Sequence, residues 1–371
     1  MLDGRREIDL DFLRGLAILM VLDFHAPVHW MSRPLHLLGF PNFGWAGVDV
    51  FFVLSGFLVG GLLIKEWRAQ KRIDSRRFLI RRGFKIWPQY YVFLGMMLLT
   101  RHRTLHELWG NLLNVQNYVG GIPHTWSLAV EEHAYLLLLL GLSLAARWRV
   151  QARSLALVIA VLCAVIVLGR LVLIEHGFEV VNRTHTRIEG ILYGVLLALV
   201  YHHDSEAFRR WQARRWIWWA VAAAALVFFR FQTSSPWASS VGWDMADAFG
   251  VALLMLLYRP SRPGTRTWTF RVVAWIGVYS YGIYLWHVSV IAPAVAIGSR
   301  LPHWAAEIWL CLAPIAAGIG LGAAFTRVVE LPALKLRDRL FPPRIGSPLQ
   351  RTSTPRVDTH AVASQVVQVS G

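Results

Sequence analysis

The apolar stretch from Asp9 to Trp30 carries Arg14, Asp23 and His25 where a lipid-facing helix tolerates almost no charge. On a helix of about 100° and 1.5 Å per residue, the steps from Arg14 to His25 complete roughly three turns, so both side chains share a face about 16 Å apart. An imidazole changes charge near neutral pH and serves as a general base, whereas a guanidinium is a permanent cation that recognises carboxylate or phosphate. Charges inside an apolar span are costly, so the pair is a functional-site candidate. Taken alone, it also fits a helix whose Arg14 snorkels to one interface while His25 sits near the other.

Other ionisable groups extend the pattern. Asp49, Glu131 and Glu132 are expected at a depth similar to that of His25, with Arg170, Arg187, Glu189, Asp244 and Asp247 near the same layer. Such alignment predicts a hydrated polar cavity with charges paired across helices, although each residue singly also fits a structural ion pair. On the opposite side lies KEWRAQKRIDSRRFLIRRGFK, a basic segment of the kind that anchors a protein to anionic lipid. Its end differs from that simple role. Spacings of four place Arg77, Arg81 and Lys85 on one helical face, with Arg82 beside them, and grouped cations suit a multiply phosphorylated ligand.

The elements that must position these groups follow from composition. Of 371 residues 56% are hydrophobic and only 16% charged, and apolar runs recur along the chain. The fold class is all-α, a polytopic membrane bundle of about ten spans, beginning near Phe12, Gly44, Phe84, Trp126, Ser154, Thr184, Trp216, Val241, Val272 and Trp304. The first stretch is expected to stay in the protein, since it is long enough to span and lacks a cleavage pattern. With both termini cytoplasmic, most of the 38 Lys and Arg fall in inner segments, and the outer ones keep only Arg33, Arg101, Arg103, Arg183 and Arg300. The net charge of +16 is thus a feature of topology and lipid contact, and no nucleic-acid partner is expected. Residues 1–332 read as the transmembrane domain and 333–371, rich in Ser, Thr and Pro, as a cytoplasmic disordered tail. Two cysteines, Cys163 and Cys311, lie in apolar runs, and His124, His133 and His287 lack HExxH-type spacing, so neither a disulfide framework nor a metal site is expected.

Several further groupings stay open. Ser127, Glu131 and Tyr135 form one helical stripe and Ser280, Tyr284 and His287 another; either lines the cavity or bonds neighbouring helices. Gly56 and Gly60 form a GxxxG pattern suited to close helix packing. Trp126 and Trp243 suit either a membrane belt or stacking on a sugar.

Taken in order, Arg14 and His25 separated by ten residues, GVDVFFVLSGFL at 47–58, FLIRRGFKIWP at 78–88, HTWSLAVEEHAYL at 124–136, SYGIYLWH at 280–287, and Glu330 with Pro332 make the chain resemble the acyltransferase-3 family of integral membrane O-acyltransferases over nearly all of residues 7–332. It departs from the family at His133, where Gln is more usual, and at Lys85, where Arg is common, and no fused esterase-like domain is expected after the last span. The resemblance implies transfer of an acyl group, most often acetyl, from cytoplasmic acyl-CoA as co-substrate to a hydroxyl of a carbohydrate or similar acceptor across the cell membrane, with no permanently bound cofactor. Arg77, Arg81, Arg82 and Lys85, with Arg14, would hold the donor's phosphates. His25 would act as general base, oriented by Asp49, Glu131, Glu132 or, least suitably because it faces away, Asp23. A covalent acyl-histidine is the variant left open. A transporter or flippase of a glycan or anionic small molecule is the alternative, since a polar cavity with a basic mouth serves transport as well.

Overall fold

The computed structural model describes residues 7–28, 43–231, 235–259 and 266–342, and all regular structure among them is helical. Arg33 and residues 343–371, both part of the topological expectation, lie outside the described residues. The apolar stretches read from the sequence are each helical: α1 (Ile8–His25), α2 (Gly44–Gln70), α3 (Ser75–Leu99), α4 (Pro123–Arg147), α5 (Ala152–Glu175), α6 (Glu189–His203), α7 (Arg215–Phe231), α8 (Pro236–Leu257), α9 (Trp268–Val278), α10 (Ser280–Gly298) and α11 (His303–Leu340). In lipid every backbone N–H and C=O must be satisfied within the protein, which an uninterrupted helix does by itself.

Six of these, α2, α4, α5, α8, α10 and α11, are long and apolar enough to cross a membrane by length and composition. The chain is a multi-pass membrane protein. The expectation of about ten spans includes helices of a different kind. In α1 and α3 charged residues interrupt the apolar pattern, while α7 is 17 residues long and α9 is 11. The ninth expected span is divided at Tyr279 into α9 and α10.

Two apolar clusters form the core. One joins α2, α4, α5, α6, α7 and α8 through residues such as Phe52, Leu138, Ile191 and Phe249; the other joins α3, α9, α10 and α11 through Phe93, Ile283, Leu285 and Ala323. Helix α1 belongs to both, with Leu13 and Ala17 in the first and Ile18 and Leu22 in the second. Helix association inside lipid relies on close van der Waals packing, for which small residues are needed. A Cβ at Gly15 would run into the Val273 carbonyl of α9, and one at Gly277 into the Asp11 carbonyl of α1. Gly56 of α2 likewise lies against Gly194 and the Ile191 carbonyl of α6, which is the close packing expected of that pattern.

Among the departures from regular helix, two lie beside the polar cavity. Turns of π-helix span Gly56–Gly60 in α2 and Thr326–Glu330 in α11. Such turns shift the side-chain register by an extra residue and often accompany functional sites. Helix continues through Leu331–Leu340, and Pro332, which has no N–H to donate back along the helix, directly follows the π turn.

Candidate active site

A cavity of about 280 Å³ opens where the two apolar clusters meet. Its cations are Arg14 from α1 and Arg82 and Lys85 from α3; its carboxylates are Asp11, Glu131 and Glu132; Ser55, Ser127, Tyr281 and Tyr284 supply hydroxyls. Local structure explains how these groups arrive. The Asp74 side chain accepts from the Arg77 backbone N–H at 3.1 Å and so starts α3 one turn before the basic residues. Farther on, Pro88 within α3 deprives the Phe84 carbonyl of its helical donor. The Tyr281 hydroxyl donates to the nearby Ile86 carbonyl at 2.9 Å, tying α10 to this part of α3.

The cations are held differently. Arg14 donates to Asp11 at 2.9 Å, one turn back on α1. Arg82 sits over the Tyr135 ring, its Cζ 4.0 Å from the centroid, and its Nε has no hydrogen-bond partner. Lys85 makes an ion pair with Glu330, which is 3% exposed at the end of the second π turn. Arg77 and Arg81 do not line the cavity. Arg77 donates to the Pro342 carbonyl, Arg81 donates to the Phe341 carbonyl at 2.7 Å, and Arg81 also meets Asp338 at 3.2 Å. The helical face shared by Arg77, Arg81 and Lys85 therefore packs along the end of α11, and Arg82, off that face, is the arginine of α3 that enters the cavity.

The carboxylates expected in one layer fall into two groups. Glu131 accepts from Ser55 at 2.7 Å and from Tyr135 at 3.0 Å, and both Glu131 and Glu132 face the basic residues in the cavity. Asp49 is buried and bound by Arg187, whose guanidinium lies 5.2 Å from the Trp126 ring and 4.5 Å from the Trp243 ring. Those two tryptophans thus present their faces to an arginine of the protein itself. Among the described residues, no hydrogen bond joins any of these three carboxylates to His25. Nδ1 of His25 bonds instead to the Val21 carbonyl at 3.0 Å. A carbonyl only accepts, so Nδ1 carries the proton and the lone pair is on Nε2, the tautomer a general base needs.

His25 is not in the cavity wall, but it is not turned out to lipid either. Its ring packs edge-on against His287 at 4.9 Å, and His287 in turn against His124 at 5.3 Å. His287 Nδ1 donates to the Tyr284 carbonyl at 2.7 Å, and its Nε2 is buried without a partner. The Tyr284 hydroxyl donates to the His124 carbonyl at 2.5 Å and accepts from Ser127 at 2.6 Å. Both polar stripes, one on α4 and one on α10, thus converge on a single hydrogen bond at the cavity wall. Tyr284, whose ring lies 5.7 Å from that of His287, stands between the cavity and the imidazoles. The imidazole group was not legible as a unit, because His25, His124 and His287 belong to three distant segments. Ser55 and Asp11 were likewise unassigned; only their place in polar gaps of apolar helices signals them.

Comparison with known proteins finds relatives of the chain. The peptidoglycan O-acetyltransferase OatA of Listeria monocytogenes is 25% identical, the match covering 88% of this chain and 55% of that protein. A putative peptidoglycan O-acetyltransferase of Bacillus subtilis, YrhL, is 27% identical over 78% of this chain and 50% of its own length. A putative O-acetyltransferase of Staphylococcus aureus is 26% identical, with coverage of 76% and 50%. The chain spans about half the length of these curated relatives. No solved structure matches it. A family model described as an acyltransferase domain matches residues 7–327, which hold every helix that lines the cavity, and the chain belongs to this acyltransferase-3 family.

Proposed function

We propose that the protein transfers an acyl group, in the simplest case acetyl, from cytoplasmic acyl-coenzyme A to a hydroxyl of a cell-envelope carbohydrate on the far side of the inner membrane. The observation that carries this reading is the sequence of groups from Arg14, Arg82 and Lys85 through the cavity to Ser127 and Tyr284, and then to His287 and His25. A phosphorylated carrier matches the cationic end, because guanidinium and ammonium groups make charge-assisted bonds to phosphate oxygens. Its slender thioester arm could extend from that end through the cavity as far as Tyr284. The names of the relatives favour a glycan such as peptidoglycan as acceptor.

In this reading the acceptor hydroxyl attacks the thioester carbonyl while His25 Nε2 takes its proton, since an alcohol is a poor nucleophile at neutral pH. The tetrahedral adduct then collapses, the carbon–sulfur bond breaks, and His25 returns the proton to the departing thiolate. The Val21 carbonyl keeps the imidazole in the required tautomer throughout. For the thioester to meet His25, the Tyr284–Ser127 contact has to open, which makes that hydrogen bond the closure between the two compartments of the site.

Purified protein in vesicles, supplied with acetyl-labelled acetyl-coenzyme A on the Arg82 side and soluble peptidoglycan fragments on the other, tests the proposal. Label is expected in ester linkage on the glycan with wild type and not with a folded His25→Ala variant. Glycan crossing the bilayer without acylation would instead establish the transporter alternative.

A further inference from the structure

A second polar site lies away from the cavity, at the junction of α2, α5, α6 and α8. Its charged members are Asp49, Arg170, Arg187, Glu189, Asp244 and Asp247, and all but Asp244 are nearly inaccessible. Arg170, fully buried, spreads its guanidinium across the group. It bonds Ser240 Oγ at 2.8 Å and the Thr186 carbonyl at 2.8 Å, pairs with Glu189 through Oε1, and pairs with Asp244 through Oδ1 at 2.6 Å. Arg187 takes Asp49. Each arginine is thus committed, and no cation is left for Asp247 among the described residues. Four carboxylates against two guanidiniums leave two negative charges in a place where an unpaired charge is strongly disfavoured.

Three oxygens record the imbalance directly. Asp247 is 2% exposed, and its Oδ1 has no hydrogen-bond partner; Glu189 Oε2 and Asp49 Oδ2 are buried and unpartnered as well. One carboxylate oxygen from each of Glu189, Asp244 and Asp247 lies within 4.8 Å of those of the other two. Ligand oxygens held 2.3–2.6 Å from one calcium ion lie at most about 5 Å apart, so oxygens within 4.8 Å of one another fall inside the span of a single coordination shell of that size. Arg170 grips Glu189 and Asp244 by one oxygen apiece, which leaves their second oxygens for another partner. Asp247 Oδ1 rests against Gly190, where any side chain would displace it. Asp244, whose side chain is 21% exposed, is the point at which the group opens to the molecular surface.

We propose that Glu189, Asp244 and Asp247 bind one divalent cation of calcium size, which neutralises the group and locks α8 to the segment that carries Arg170, Arg187 and Glu189. The site is separate from the acyl-transfer cavity and does not depend on what that cavity binds. The purified full chain in detergent, in a background of magnesium and potassium, is titrated with radioactive calcium and its thermal unfolding followed. One calcium per chain and a raised Tm are expected for wild type, with affinity at least tenfold weaker in both Asp247→Asn and the more accessible Asp244→Asn, so that a folding failure of either variant leaves the other to report. Absence of saturable uptake up to about 10 mM, weaker than the range of extracellular calcium modules, would overturn the proposal. So would an infrared carboxylic-acid band that persists at saturating calcium and disappears in Asp247→Asn, because protons would then be balancing the charge.

Discussion

At the scale of single residues, two groups separate chemistry from binding. His25 Nε2 is the lone-pair nitrogen of an imidazole held by a backbone carbonyl, so His25→Ala should lower single-turnover acyl transfer about 10²–10⁴-fold, the usual contribution of a general base, while donor binding measured by calorimetry is unchanged. Arg82 faces the cavity with Nε unpartnered. A hydrogen bond to a charged ligand contributes about 1.5–3 kcal/mol, so Arg82→Gln should raise the KM for acetyl-coenzyme A roughly 10–100-fold with little change in turnover. Equal loss of kcat in both variants would contradict this division. Lys85 presents a third case, since its partner Glu330 is buried. Lys85→Met should destabilise the protein by about 3–5 kcal/mol because it strands that carboxylate, whereas Lys85→Met with Glu330→Leu should recover most of the loss in a detergent unfolding assay.

At the scale of elements, the site depends on how closely helices approach. α2 and α6 cross where Gly56 and Gly194 meet, and a Cβ at Gly194 would strike the Val53 carbonyl and the Phe57 backbone nitrogen. Backbone atoms cannot rotate out of the way as a side chain can. Gly194→Leu is therefore expected to cost more than about 3 kcal/mol, the upper end for ordinary overpacking, and to abolish acyl transfer through loss of fold. Gly141→Leu, with open space around its Cβ on α4, is the matched control and should leave thermal unfolding unchanged. The π turns place functional groups at their edges: Ser55 immediately precedes one, and Glu330 ends the other. Helix α11 reaches the basic start of α3 beyond its own π turn, which is why Arg77 and Arg81 meet carbonyls and Asp338 there while Arg82 turns inward.

At the scale of the whole molecule, the bundle sets the cations in the cavity and the imidazoles beyond Tyr284, the separation on which the proposed transfer between two compartments rests. The orientation proposed for it has a direct check. With Cys163 and Cys311 replaced, single cysteines at the exposed positions Arg76 and His106 should react with an impermeant maleimide from opposite sides of the membrane, Arg76 from the cytoplasm. Labelling of both from the same side would refute the alternation of spans.

Much of this was legible along the chain, for reasons that are local. Helix existence follows from apolar runs that must satisfy their own backbone in lipid, and the Arg14–His25 separation follows from helical rise, so the positions of both on α1 needed no tertiary information. The shared face of Arg77, Arg81 and Lys85 is equally a matter of period. What that face meets is not. Asp49 finds Arg187, Lys85 finds Glu330, Ser127 finds Tyr284, and His25 finds His287, each across long sequence separations. A charge at a given depth can turn toward any neighbouring helix, and only the crossings allowed by glycines such as Gly15, Gly56 and Gly277 decide which partner comes within hydrogen-bonding reach. Sequence periodicity thus determined which residues lie on which helix, and the Val21 carbonyl that holds the imidazole is itself one turn back on α1, while close packing between helices decided which partners Asp49, Lys85 and Ser127 meet.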